Sequence, residues 1–149
     1  MKNFSNHADA RVRKAFSVAQ KVHAAQVDKA GAAYINHPLT VASSVGENIS
    51  AIIVALRHDT VEDSAKTFDE LHKEIPLTAE ELQALKLLTH DKKIPYLEYV
   101  AQIKSNEIAA KVKAADLKHN SDLSRLKYPS AKDFKRAEKY RLALKILGS

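Results

Sequence analysis

The residues Ala51-Ile52-Ile53-Val54-Ala55-Leu56 are apolar without a break, and ionisable residues follow at once as Arg57-His58-Asp59-Thr60-Val61-Glu62-Asp63. The run reads as a buried helix. Charge at the end of such a run is costly, and buried charges are tolerated when they are paired or bound to a metal. On a helix His58 stacks on Glu62, and Asp59 stacks on Asp63. His58 and Asp59 diverge by about 100° around the helix axis. Both still reach one ion that sits off the helix end, which leaves Glu62 and Asp63 one turn on, placed to handle a water. An acidic helix terminus with a stray histidine fits the same stretch, and the stretch alone does not choose.

The rest of the chain narrows what surrounds this run. Its 149 residues suit one domain with a single core. With only 3 Gly and 4 Pro, and with Ala, Leu, Lys and Glu dominant, the chain favours helix over sheet. Cysteine is absent, so a metal would have to be held by His, Asp, Glu and water. No apolar run approaches the roughly 20 residues of a membrane span, and the start of the chain has no signal-peptide core. A cytoplasmic protein is the expectation. The net charge of +6 suits an anionic partner. From Lys111 to Lys145 there are 11 Lys/Arg and 4 Asp/Glu, so the basic excess lies in the C-terminal third.

Taken in order, the pattern predicts an all-α chain of about seven or eight helices. The first runs from about Asp9 to Val27, with Ala15, Val18, Ala19, Val22, His23 and Gln26 on one stripe. Pro38 should force His37 out of helical geometry and open a helix to about Gly46. Asn48 or Ser50 caps the helix that ends in the His58–Asp63 cluster. Thr67-Phe68-Asp69-Glu70 and Thr78-Ala79-Glu80-Glu81 are capping signatures for two more. His90-Asp91 repeats the His-Asp pair without acidic follow-up and reads as a decoy in a polar loop. Pro95 to about Lys104 and Glu107 to about Leu126 are the next helices. On the second of these Ile108, Val112, Ala115, His119 and Leu123 form an inner stripe, with Asp116 and Asn120 beside it at i,i+4. A last helix from Ser130 or Asp133 carries Phe134, Ala137, Tyr140, Leu144 and Leu147 inward.

Three ordered motifs resemble the HD-domain phosphohydrolases, and within them the RelA/SpoT-type and small alarmone hydrolases. Lys29-x-Gly31-x-x-Tyr34-Ile35-x-His37-Pro38 resembles the first. His58-Asp59-x-x-Glu62-Asp63 matches the second. Lys113-Ala114-Ala115-Asp116-Leu117-Lys118-His119-Asn120 resembles the third. The likeness spans roughly Phe16 to Leu126. It departs at Asp28, where the alarmone hydrolases commonly carry arginine, and at Ala33, where they carry proline.

The resemblance implies a compact helical bundle of the HD type over residues 1–149. It implies one divalent ion, manganese by preference, on His37, His58, Asp59 and Asp116. A donor set of imidazole and carboxylate without thiolate suits manganese or iron. Glu62 and Asp63 would then orient and deprotonate a water, Lys29 and Asn120 would hold the substrate, and Tyr34 would shape the pocket. The implied reaction removes 3′-pyrophosphate from guanosine tetra- or pentaphosphate. With no synthetase segment in these 149 residues, degradation rather than synthesis is expected. The partner would be a small-molecule nucleotide, not nucleic acid or a membrane, with a homo-oligomer left open. Two alternatives stand beside it. One is an HD phosphohydrolase for another phosphorylated nucleotide, such as an adenosine alarmone or NADPH. The other is a non-catalytic nucleotide- or nucleic-acid-binding helical module.

Overall fold

A computed structural model of the chain describes residues 2–63 and 67–148, the side chains of 61–63 excepted. Among the described residues there are eight α-helices and no strand: α1 (Ala10–Val22), α2 (Asn36–Ser43), α3 (Ile49–Asp63), α4 (Phe68–Glu74), α5 (Ala79–Leu88), α6 (Tyr96–Ile103), α7 (Glu107–Asn120) and α8 (Ala131–Ile146). Short 3-10 turns lie at Phe4–Asn6 and Leu123–Arg125. The expected all-α class is what is found.

The uninterrupted apolar run lies in α3, and its surroundings follow from that. Every residue from Ala51 to Arg57 is buried. A helix apolar on all sides must be covered on all sides, and α1, α2, α5 and α7 pack around α3. Each of Ile52, Ile53 and Leu56 contributes roughly 1.5–3 kcal/mol by leaving water. Arg57 closes the run without exposure. Its guanidinium donates to the carbonyls of Leu71 (2.8 Å) and Ile75 (2.9 Å), which lie at the end of α4. Glu81 gives the other side a polar anchor. It completes the capping box of α5 with Thr78, accepts from Ser50 at 2.7 Å, and pairs with Arg11 of α1. One carboxylate thus ties α1, α3 and α5 together.

Four expectations need correction. The first helix stops at Val22 rather than Val27, because the chain turns at His23. Gln26 N–H bonds to the His23 carbonyl, and Val27 pairs with Ala33 in an isolated antiparallel bridge. His37 is not held outside a helix by Pro38. α2 begins at Asn36, so both residues lie in its first turn. The pre-proline bias is a preference, and a first-turn proline forfeits an N–H that has no intrahelical partner. The seventh helix ends at Asn120 rather than Leu126, and Asp122 caps a separate 3-10 turn. On α8, Phe134 is 55% exposed rather than inward.

Candidate metal centre and its two cavities

Three helices bring four predicted side chains into one corner. His37 comes from the first turn of α2, His58 and Asp59 from the last turns of α3, and Asp116 from α7. His37 Nε2 lies 2.8 Å from Asp116 Oδ1 and 3.5 Å from Asp59 Oδ2. His58 Nε2 lies 3.3 Å from Asp59 Oδ1 and 3.7 Å from Asp116 Oδ1. Donor atoms of His37, His58 and Asp59 all fall within 4.8 Å of one another. The adjacent pair His58-Asp59 therefore does converge, despite its divergence around the helix.

Both imidazoles are held from behind. His58 Nδ1 donates to the Ala55 carbonyl at 2.7 Å, which leaves Nε2 turned into the corner. His37 Nδ1 faces His119 Nδ1 at 2.7 Å, and the two rings stack with centroids 5.0 Å apart. A ligating histidine is commonly fixed through its other nitrogen in this way. The Tyr34 hydroxyl donates to Asp59 Oδ2 at 3.1 Å. Asp116 accepts from Asn120 Nδ2 and from Lys113 Nζ, each at 3.1 Å.

The electrostatics favour a cation in this corner. Burial alone would push the His58 imidazole down. The charges of Asp59 and Asp116 and the bond to Ala55 outweigh it and raise its pKa to about 9. Burial would likewise push Asp116 up, but Lys113, His37 and His58 hold its carboxyl well below the usual range. His58 Nε2 is buried and has no hydrogen-bond partner of good geometry among the described residues. An orphaned imidazole nitrogen between two carboxylates fits a divalent ion, and the mixed N/O donors suit manganese or iron over a thiophilic metal.

Two cavities meet at this corner and share Tyr34, Asn120 and Tyr140 in their walls. The inner one, about 260 Å³, contains His58, Asp59 and Asp116 with His90, Tyr96, Tyr99 and Lys113. The outer one, about 320 Å³, is lined by Asp28, Lys29, Arg125, Arg136 and apolar side chains. Asp28 has a local reason to be there. Its carboxylate accepts from the backbone of Ala30 (2.9 Å) and Ala32 (3.0 Å) and so ties the turn in which Gly31 takes φ +84°. It also pairs with Arg125 at 2.9 Å.

Of the predicted substrate residues, Tyr34 and Asn120 stand between the cavities, and each also bonds to a predicted ligand. Lys29 lies on the outer wall, 65% exposed, 4.0 Å from Asp133. The side chains of Glu62 and Asp63 lie outside the described residues. Sequence reasoning passed over several wall residues. His90, a decoy by its sequence context, lines the inner cavity, with Nε2 bonded to the Ile94 carbonyl at 2.7 Å. Lys113 and His119 sat inside the third motif without a role. Their places at i−3 and i+3 from Asp116 put them within a turn of it, and that was the available signal.

Comparison with known proteins bears on fold and sequence separately. A solved structure described as a metazoan ortholog of SpoT that hydrolyses ppGpp superposes with a TM-score of 0.72, covering 95% of this chain and 85% of that one at 21% identity. The chain therefore has the all-helical fold of that protein. Its sequence is similar to RelA/SpoT-type proteins. A probable GTP pyrophosphokinase of Mycobacterium leprae is 44% identical over 66 residues, 42% of this chain and 8% of the relative. A guanosine-3′,5′-bis(diphosphate) 3′-pyrophosphohydrolase of Aquifex aeolicus is 36% identical over 74 residues, 48% of this chain and 10% of the relative. The bifunctional (p)ppGpp synthase/hydrolase SpoT of Escherichia coli is 33% identical over 66 residues, 42% and 9%. The matches thus span about a tenth of these curated relatives. No protein-family model matches the chain.

Proposed function

We propose that this chain is a phosphohydrolase, dependent on one divalent ion, that removes pyrophosphate from the 3′ position of guanosine tetra- or pentaphosphate, converting ppGpp to GDP and pyrophosphate. The observation that carries this reading is the convergence of His37, His58, Asp59 and Asp116 in a buried corner that opens on a polar cavity. The named activities of the Aquifex and Escherichia relatives and of the metazoan ortholog support the same direction.

His37, His58, Asp59 and Asp116 hold the ion, with manganese the preferred occupant. When bound, it supplies Lewis acidity to a phosphoryl oxygen and to water. The chain's own part is positioning and proton transfer. Ala55 and His119 orient the two imidazoles, and Tyr34 steadies Asp59. Glu62 and Asp63, at the end of the same helix as the His-Asp pair, orient the attacking water and take its proton. Asn120 and Lys29 hold the nucleotide, and Tyr34 shapes the passage between the cavities. The test is metal analysis of the purified protein, then hydrolysis of a nucleotide panel with added manganese. One bound ion and conversion of ppGpp to GDP and pyrophosphate are expected. An untouched ppGpp beside turnover of another phosphoester would defeat the guanosine reading.

A second reading keeps the chemistry and changes the base. Asp28 and Arg125 form an ion pair on the wall of the outer cavity, at a position where the alarmone hydrolases commonly carry an arginine. A different nucleotide, such as an adenosine alarmone or NADPH, would meet a different surface there. The same panel separates the two readings.

A further inference from the structure

Phe134, in the first turns of α8, is 55% exposed, and Tyr128, just ahead of that helix, is 85% exposed. Among the described residues no other Phe or Tyr is exposed. Apolar groups scattered singly on a surface need no explanation. These two stand together in a basic stretch. From Lys127 to Lys145 there are seven Lys/Arg against Asp133 and Glu138. Arg136 pairs with Asp133. Lys127, Lys132, Lys135, Arg141 and Lys145 are exposed, and none makes an ion pair among the described residues. The Lys127 ammonium lies 5.7 Å from the centre of the Tyr128 ring. α8 packs inward through Ala137, Tyr140, Ala143 and Leu144, which turns Phe134 and the cations outward along a helix of 16 residues, about 24 Å.

We propose that Tyr128, Phe134 and the outward cations of α8 form a surface that binds single-stranded nucleic acid. A row of unneutralised cations matches a phosphate backbone, and binding releases the counterions that the strand carries. Exposed rings beside that row offer stacking faces to unpaired bases, which a duplex keeps inside its own stack. A lipid surface fits less well. It asks for a continuous apolar band, whereas Phe134 and Leu142 stand about 80° apart around the helix with Glu138 between them. The family resemblance implies no nucleic-acid partner, and the outward turn of Phe134 is what supplies one. The surface is independent of the phosphohydrolase reading, since neither ring and none of the five unpaired cations lines the two cavities.

The experiment is fluorescence anisotropy of a labelled oligouridine strand titrated with the full-length chain over a range of salt concentrations. A duplex of equal length and anionic phosphatidylserine vesicles are run beside it. The strand should bind, with log K falling against log salt at a slope of roughly −2 to −3.5, as for three to five neutralised phosphates. Tyr128→Ala and Phe134→Ala should each weaken it about 5- to 100-fold and leave the slope unchanged. Lys135→Ala should make the slope shallower by about 0.7. Both ring variants lie on the surface, and thermal melts confirm that they fold. The proposal is refuted if the strand does not bind at low salt, if both ring variants bind it as tightly as wild type, or if the duplex binds as tightly as the strand. Capture by the vesicles with none by the strand would likewise overturn it and assign the face to lipid.

Discussion

The inner and outer cavities share three wall residues but are built by different means. The inner one borrows its chemistry from helices that already pack on α3. His58 and Asp59 extend the buried run itself, and His37 and Asp116 sit on the helices that cover it. Moving any of them means moving the core. The outer cavity takes its charged side chains from the Asp28–Ala32 turn, the Leu123–Arg125 turn and the surface of α8. Those groups are held near the surface, by the Asp28–Arg125 pair, by the pairing of Lys29 and Arg136 with Asp133, and by two backbone bonds to Asp28. The contrast separates a buried corner tied to fold stability from a cavity wall open to change.

The largest effects should come from the inner side. Asp59→Ala should abolish turnover by removing a ligand, and Glu62→Ala should lower it roughly 10²–10⁴-fold by removing a proton acceptor. Steady-state kinetics on the folded variants checks both, and equal ion loss in the two would show that ligand and base have been confused. Next comes the core beneath the site. Leu56→Ala should cost about 2–5 kcal/mol of stability in a denaturant melt, and a smaller loss would break the link between corner and core. His119→Ala removes the partner of His37 and should weaken manganese about 10- to 100-fold, read by titration with the metal.

Smaller effects belong to the periphery. Arg125→Ala should raise KM by about threefold to tenfold with kcat nearly unchanged, and should shift stability by no more than about 1 kcal/mol. A collapse in kcat would erase the distinction between the cavities. Acid sensitivity gives a further test. Burial pushes the Glu81 carboxyl up, but bonds from Arg11, Ser50 and Thr78 overcome it and hold its pKa below the ordinary value. A depressed carboxyl stabilises the fold above its unfolded pKa, and that support is lost as pH falls through the folded value. Wild type should therefore lose more stability than Glu81→Gln as pH is lowered from about 5 toward 3, measured by thermal melts.

Much of the corner was legible because its residue types are costly where they occur. An imidazole and a carboxylate at the end of an apolar run need a partner, but it was the resemblance of three ordered motifs, not that need, that named His37 and Asp116. The helix ends were less legible, because tertiary contacts set them. His23 ends α1 by turning the chain into the Val27–Ala33 bridge, and nothing in the local periodicity marks that turn. Pro38 misled because a bias against helical geometry at His37 yields to a first turn that needs no N–H from proline. The tyrosine wall stayed hidden for another reason. Tyr96, Tyr99 and Tyr140 look like ordinary apolar stripe residues on separate helices, and their meeting with Lys113 depends on how α6, α7 and α8 assemble. Asp28 was visible as a departure, but its bonds to Ala30, Ala32 and Arg125 were not.

Equilibrium dialysis against manganese, followed by metal analysis of the retained protein, addresses the centre of this account. Wild type and Glu62→Ala should each hold one ion per chain, while Asp59→Ala and Asp116→Ala, folded by circular dichroism, should hold essentially none. An Asp116→Ala chain that keeps its manganese as wild type does would contradict it, because α7 would then contribute nothing to the corner that α2 and α3 form.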